Sequence, residues 1–286
     1  MSASFEVAGD RLVPIEGPSP AALVHGYGVF EAVRVYGGEP FELGAHLARM
    51  REGAERLLLA EPPSDERIER LCAGAIETAG LAEARLRLVW AATAGGAELW
   101  SQAGPLAASL LIQLEPIPNR LQKLRNSGVD VIVGSHRVNE RSLTAGVKTI
   151  GYAAHILAKR EAMEAGAYEA LILDCEGHVV EGSMSNVFAL VEGKLLTPPL
   201  ELGPLPGVTR HLVLELARES GLEAGEQPFK PGLLSSAEEC FLTGTVAELM
   251  PVVRVDCTVV GGGRPGEVTR RLQAAYAELT KVGDVG

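Results

Sequence analysis

The chain has 286 residues, 47% hydrophobic and 22% charged, enough for one large or two modest globular cores. Its formal net charge of −11 counts against a nucleic-acid partner. The start has no signal-peptide pattern, no apolar run reaches about 18 residues, and Cys72, Cys175, Cys240 and Cys257 form no CxxC pair, so a cytoplasmic protein without membrane span, disulfide framework or structural zinc is expected.

Residues 28–36 alternate β-branched and aromatic side chains at period two and predict a strand. Gly37-Gly38 reads as a hairpin turn, with the return over residues 39–42. Leu47, Met50, Ala54, Leu57 and Leu58 predict a helix over residues 45–59, and residues 65–79 a second one with Ser64 as its N-cap. Strands are expected at 85–92 and 107–114. Pro116, Pro118 and Asn119 break the pattern over 115–125, which reads as a linker between a domain at 1–120 and another at 121–286. The second domain restarts with a strand at 129–135 and a helix at 149–165, closed by Gly166. Short strands follow at 170–174, 179–181, 186–191 and 194–197, then an amphipathic helix at 209–221. Strands at 239–243 and 250–255 and a helix near 267–279 complete it. Many short strands with few helices predict a mixed α/β sheet or pseudo-barrel (α+β), not a doubly wound parallel sheet.

Three segments carry candidate chemistry. The first is Val147-Lys148-Thr149-Ile150-Gly151-Tyr152, read as a strand end opening a helix. Lys148 is either a solvated surface lysine or a nucleophile whose small and apolar neighbours lower its proton affinity. The second is Glu181-Gly182-Ser183-Met184-Ser185-Asn186-Val187-Phe188. Glu181 sits where a strand meets the Gly182-Ser183 turn and, taken alone, reads as an exposed strand-end glutamate. The third is Leu205-Pro206-Gly207-Val208-Thr209-Arg210. A helix start with free N–H groups and a hydroxyl is an anion site, or an ordinary threonine cap. Gly244 and Thr245, in Thr243-Gly244-Thr245-Val246-Ala247-Glu248, repeat that logic, because glycine admits close backbone approach. His155, one helical turn past Tyr152, reads as a structural histidine, and His25, His46 and His136 lack metal spacing. A strand, not a helix, follows Gly26-Tyr27-Gly28, so it is no dinucleotide fingerprint.

The order and spacing of these segments resemble the class IV aminotransferases, pyridoxal 5'-phosphate enzymes of fold type IV, over about residues 23–272. The stretch from Lys148 to Arg210 is the most specific, because several gaps must hold at once. The resemblance implies a two-domain fold: a small α/β domain at 1–120 and a larger cofactor-binding pseudo-barrel domain at 121–286. It implies that Lys148 bonds the cofactor aldehyde and moves the substrate proton, and that Glu181 pairs with the pyridine nitrogen. By the same resemblance Asn186 is a local backbone orienter, Tyr152 meets the phenolate oxygen and Leu205 packs on the ring. Arg49 (in His46-Leu47-Ala48-Arg49), Gly207, Val208, Thr209, Gly244 and Thr245 would serve the phosphate; Thr245 and Val246 would also serve the substrate carboxylate. Phe30, Ala32 and Arg34 share one strand face and would line the substrate pocket with Arg87, although Arg85 replaces a tyrosine of the branched-chain enzymes. Ala32 stands where those enzymes usually have glycine and the lyases a threonine. Residues 91–96 lack the arginine expected of the D-amino acid group. The implied activity is ping-pong transfer of an amino group from an amino acid, aliphatic or branched-chain first, to a 2-oxo acid such as 2-oxoglutarate, in a homodimer. Alternatives are a pyruvate-releasing aminodeoxychorismate lyase, a D-amino acid or R-amine transaminase, and a non-catalytic pyridoxal-phosphate-binding protein.

Overall fold

The structure, a computed structural model, describes residues 5–8, 11–14, 20–93 and 98–281; Ala94, Gly95 and Gly96 of the arginine-free stretch lie outside them. The chain forms two compact units. One holds the described residues up to Glu115 together with Val147–Tyr152, the other Pro116–Gly146 and the chain from Ala153 onward. Among the described residues no helix is long and apolar enough to cross a membrane.

The first unit opens with a pair of antiparallel strands, β1 (Phe5–Ala8) and β2 (Arg11–Pro14), which the sequence pattern did not signal. Then come α1 (Pro20–His25), β3 (Gly28–Tyr36), β4 (Glu39–Pro40), α2 (Leu43–Arg56), α3 (Asp65–Ala79), β5 (Ala84–Ala92), α4 (Glu98–Ser101) and β6 (Ala108–Pro116). The sheet runs β4-β3-β5-β6. Alternation along β3 sends Val29, Val33 and Val35 into a core with Leu47, Met50 and Ala54 of α2 and Ile68 and Cys72 of α3. Phe30, Ala32 and Arg34 take the other face, opposite Val89, Arg87 and Arg85 of β5.

The segment around Lys148 departs from expectation. It does not open a helix. Phe30 N–H donates to Lys148 O (2.9 Å), Ile150 N–H donates to Gly28 O (2.9 Å), and Val29 bridges Thr149. Pairing with β3 satisfies the backbone groups that a helical turn would have used. The helix expected from residue 149 therefore begins only at Ala153.

In the second unit α5 (Arg120–Ser127) occupies most of the expected linker. The prolines before it hide a short helix anchored by buried Leu121. Next are β7 (Val129–Val138), α6 (Ala153–Glu164), β8 (Glu169–Asp174), β9 (Val179–Gly182), β10 (Asn186–Val191), β11 (Lys194–Thr197) and a 3₁₀ turn at Leu200–Leu202. The unit ends with α7 (Val208–Glu219), β12 (Ala224–Glu226), α8 (Pro231–Leu234), β13 (Glu239–Gly244), β14 (Glu248–Val255), β15 (Thr258–Val259) and α9 (Glu267–Leu279). The sheet order is β12-β11-β10-β13-β14-β7-β8-β9, with β15 beside β14. It is mixed: β11–β12, β14–β7 and β7–β8 are parallel, the other pairs antiparallel. β9 ends the path, yet a short turn leads it into β10 in the interior, so the sheet curls back as a pseudo-barrel does. Strand β8 is apolar throughout its middle because both faces are covered: Leu171 and Leu173 enter the main core, while Ala170 and Ile172 pack on α6.

Candidate active site

In the first unit one face of β3 gathers six of the expected residues: Phe30, Ala32, Arg34, Arg87, Lys148 and Tyr152. Lys148 Nζ lies 4.5 Å from the Phe30 ring centroid and 5.3 Å from that of Tyr152. The two rings meet edge to face at 5.2 Å, and the Arg87 guanidinium sits over Phe30 at 5.2 Å. The half-buried Lys148 amine is thus held between two aromatic side chains. Ala32 lies directly opposite Arg87 and Arg34 opposite Arg85. Arg34 pairs with Glu83 and stacks on Tyr36, and Arg85 pairs with Glu115. Burial and the neighbouring Arg87 charge push the Arg85 guanidinium down from its usual range. Among the described residues, Nε and Nη1 of Arg34 and Nε of Arg87 are buried without a hydrogen-bond partner, so this face keeps donors for a polar, anionic occupant.

Arg49 is placed differently. It donates through Nε to Glu31 Oε1 (2.8 Å) and through Nη2 to Glu31 Oε2 (2.6 Å), and His46 Nδ1 lies 2.8 Å from Oε2. Glu31 leaves β3 on the face opposite Phe30 and Ala32. Burial raises the Glu31 pKa, but the Arg49 charge and the hydrogen bonds from Arg49 and His46 outweigh it and hold the carboxyl at about 2.

In the second unit Glu181, buried near the end of β9, has its two oxygens served by different elements. Oε2 accepts Leu205 N–H (2.9 Å) and the Asn186 amide (3.5 Å), and Asn186 also donates to Leu205 O (2.9 Å). Asn186 thus orients both the carboxylate and the backbone before α7. Oε1 faces His155 Nε2 at 3.6 Å, so the histidine read as structural stands against the candidate acid. Gly207 is the N-cap of α7, and a Cβ there would lie 2.0 Å from Asn186 Oδ1, so only glycine lets the helix start come this close. Among the described residues no side chain caps that start; Val208 and buried Thr209 form its first turn, one residue earlier than expected. Gly244 closes β13 against the 183–185 turn, with Met184 O the atom nearest its missing Cβ (3.5 Å). Thr245 and Val246 follow in the loop to β14, and Thr243 Oγ1 is buried without a partner. Sequence reasoning also missed Glu169. Expected just outside a strand starting at residue 170, it instead opens β8 and is fully buried. A charge before an apolar run reads as a strand end, and its partners lie 14–16 residues downstream.

A model of the amino-transferase class IV family matches residues 28–255. The chain is similar to the branched-chain-amino-acid aminotransferase of Pseudomonas aeruginosa, 34% identical over 266 residues, covering 90% of this chain and 85% of that one. It is similar in structure to the Escherichia coli branched-chain amino acid aminotransferase, with a TM-score of 0.87 and 30% identity over 96% of this chain and 94% of that one. It is also similar to the T.th. branched-chain amino acid aminotransferase solved with pyridoxamine 5'-phosphate, with a TM-score of 0.85 and 29% identity over 96% and 93% of the two chains.

Proposed function

The chain belongs to the class IV aminotransferases and is a transaminase, and from that premise we propose that it carries pyridoxal 5'-phosphate and uses an aliphatic, branched-chain-type amino acid with 2-oxoglutarate. The observation that carries the reading is the buried Glu181 carboxylate, aimed by Leu205 N–H and Asn186 beside an uncapped helix start. That donor set matches the cofactor's chemistry. A ring nitrogen wants a fixed acid, a phosphate wants unspent N–H groups and hydroxyls, and an aldehyde wants a lysine. The buried, unpartnered Thr243 Oγ1 and the glycine-only approach at Gly207 support the same match. When bound, the cofactor supplies an aldehyde for the amino group and a ring that takes up electron density from the carbon bearing it.

The chain's own residues do the rest. Lys148 Nζ would hold the cofactor aldehyde and, as a free amine, would accept and return the proton of the substrate Cα. Glu181 keeps the ring nitrogen protonated, because a carboxylate beside it favours the cation. Tyr152 holds the phenolate oxygen and Leu205 covers the ring. Gly207, Val208, Thr209, Gly244 and Thr245 would hold the phosphate, and Arg49, whose Nε and Nη2 are engaged by Glu31, would add its charge there. Phe30 and Ala32 form a modest apolar wall for an aliphatic side chain. Arg34, Arg87 and the amides of Thr245 and Val246 receive the carboxylates of amino acid and oxo acid. The working form is a cytoplasmic homodimer.

Mixing holoenzyme with a panel of L-amino acids, D-amino acids and simple amines tests the reading through the visible band of the bound cofactor. L-leucine, L-valine and L-isoleucine should bleach it, and 2-oxoglutarate should restore it. Bleaching by a D-amino acid or an R-amine alone, or pyruvate released without any added oxo acid, would contradict the substrate assignment.

A further inference from the structure

We propose that Glu169 is a positioning residue, whose carboxylate fixes the Ser183–Ser185 turn and through it the Glu181 carboxylate and the Gly244 backbone. The inference rests on the cofactor reading above. Glu169 is fully buried at the first position of β8, where it pairs with Val131 of β7. Strand β9 lies on the other side of β8, with Ile172 opposite Glu181 and Leu171 opposite Gly182. Glu169 therefore reaches past the end of β9, into the turn that follows.

There a single oxygen, Oε1, accepts from three consecutive residues: Met184 N–H at 2.5 Å, Ser185 Oγ–H at 2.9 Å and Ser183 Oγ–H at 3.4 Å. The turn closes on itself and on β8, with Gly182 N–H donating to Ser185 O (2.7 Å) and Ser183 N–H to Ala170 O (2.9 Å). The carboxylate fills the space beside Gly182, since a Cβ there would meet Oε1 at 2.6 Å and Ser185 Oγ at 2.4 Å. Burial raises the carboxyl's pKa against the opposing Lys159 charge and the turn's hydrogen bonds.

Both ends of this turn are site segments. Glu181 precedes Gly182, and Asn186, which binds Glu181 and Leu205, follows Ser185. Met184 O lies against Gly244. Without the acceptor, the buried Ser183 Oγ and the part-buried Met184 N–H lose their partner, and the turn has to move to find others. Any such movement carries Asn186 off Leu205 O and slackens the aim of Glu181. Glu169 itself touches no reacting atom.

The test compares Glu169→Gln, which keeps an acceptor oxygen of the same reach, with Glu169→Ala, which removes it. Each holoenzyme is read by its dissociation constant for pyridoxal phosphate, by the pH titration of its visible band and by thermal unfolding. Glu169→Gln should keep both cofactor readouts close to wild type. Glu169→Ala should weaken cofactor binding by roughly tenfold or more and displace the titration of the band. Ser185→Ala, which deletes one donor from the turn, should give a smaller shift in the same direction and answers the question if Glu169→Ala does not fold. The inference is overturned if Glu169→Ala or Ser185→Ala lowers only thermal stability, with band and affinity unchanged, or if Glu169→Gln behaves like Glu169→Ala. Wild type that forms no visible band with the cofactor would instead remove the functional reading itself, and this inference with it.

Discussion

Helices α7 and α9 begin alike and end up with different tasks. Each follows a glycine in extended backbone, Gly207 at φ −70° and Gly266 at φ −82°. At each, a Cβ would lie 2.0 Å from a side-chain atom, Asn186 Oδ1 in one case and Glu239 Cδ in the other. At α9 the neighbour is the cap: Glu239 accepts Val268 N–H (2.9 Å), Thr269 N–H (2.7 Å) and the Thr269 hydroxyl (2.6 Å). At α7 the neighbour is an amide that serves Glu181 and Leu205, and among the described residues no side chain accepts from the N–H groups of the first turn. A helix start that the protein fills with its own carboxylate stabilises the fold. One left without a side-chain acceptor is available to an anion from outside.

The same contrast covers charges, and its largest expected effect lies there. Glu31, like Glu239, is satisfied from within, by Arg49 and His46. Its pKa in the fold, about 2, lies below the ordinary 4.5. The stabilisation is therefore complete above about pH 4.5 and fades as the pH falls toward 2. Glu31→Gln should cost on the order of 3 kcal/mol at neutral pH and flatten the acid limb, as urea unfolding between pH 2 and 6 would show. An unchanged acid limb would mean that the cluster does not act as a closed charge pair. Arg49→Ala should also strand the buried Glu31 charge, so its effect on cofactor affinity is to be read per folded molecule.

Next in size is Gly207→Ala. The clash with Asn186 pushes α7 away, and cofactor affinity should fall on the order of a hundredfold, about 2.7 kcal/mol. Gly266→Ala should lower the unfolding temperature while sparing affinity. If the two variants behave alike, the helix starts have no division of labour. Glu239→Ala should cost roughly 2 kcal/mol of stability, because it leaves two N–H groups and a hydroxyl without their acceptor. Calorimetry with and without cofactor should show the same ligand-induced stabilisation as wild type. The smallest effect belongs to Thr209→Ala, which removes one hydroxyl from the α7 start. Affinity should drop about tenfold, roughly 1.4 kcal/mol, with little change in apo stability.

Residues that act through neighbours in sequence were legible, and those that act across the fold were not. Glu181 and Asn186 are five apart over one turn; the family resemblance marked both, Asn186 as a local orienter, and the structure pairs them. The α7 start declared itself through Gly207 and Thr209 at the head of an amphipathic run. The Glu239 cap of α9 is 29 residues from Val268, and nothing local announces it. Glu169 looked like a strand end because its three donors arrive only after β8 and β9 have turned back. The segment at Lys148 misled in another way. Its side-chain neighbours Phe30 and Tyr152 fit expectation, but β3 claimed its backbone, and a helix predicted from local pattern lost its first turn to that pairing. In α5, two prolines ahead of a short apolar pair made a helix look like a linker.

Borohydride reduction of the holoenzyme, followed by peptide mapping, tests the central claim most directly. The reduction freezes whichever amine holds the cofactor aldehyde. The account predicts one pyridoxyl-labelled peptide, modified at Lys148, and no label after Lys148→Ala. Label on Lys123 or on Lys159, whose ammonium donates to Tyr168 O and lies over the Tyr168 ring, would contradict it.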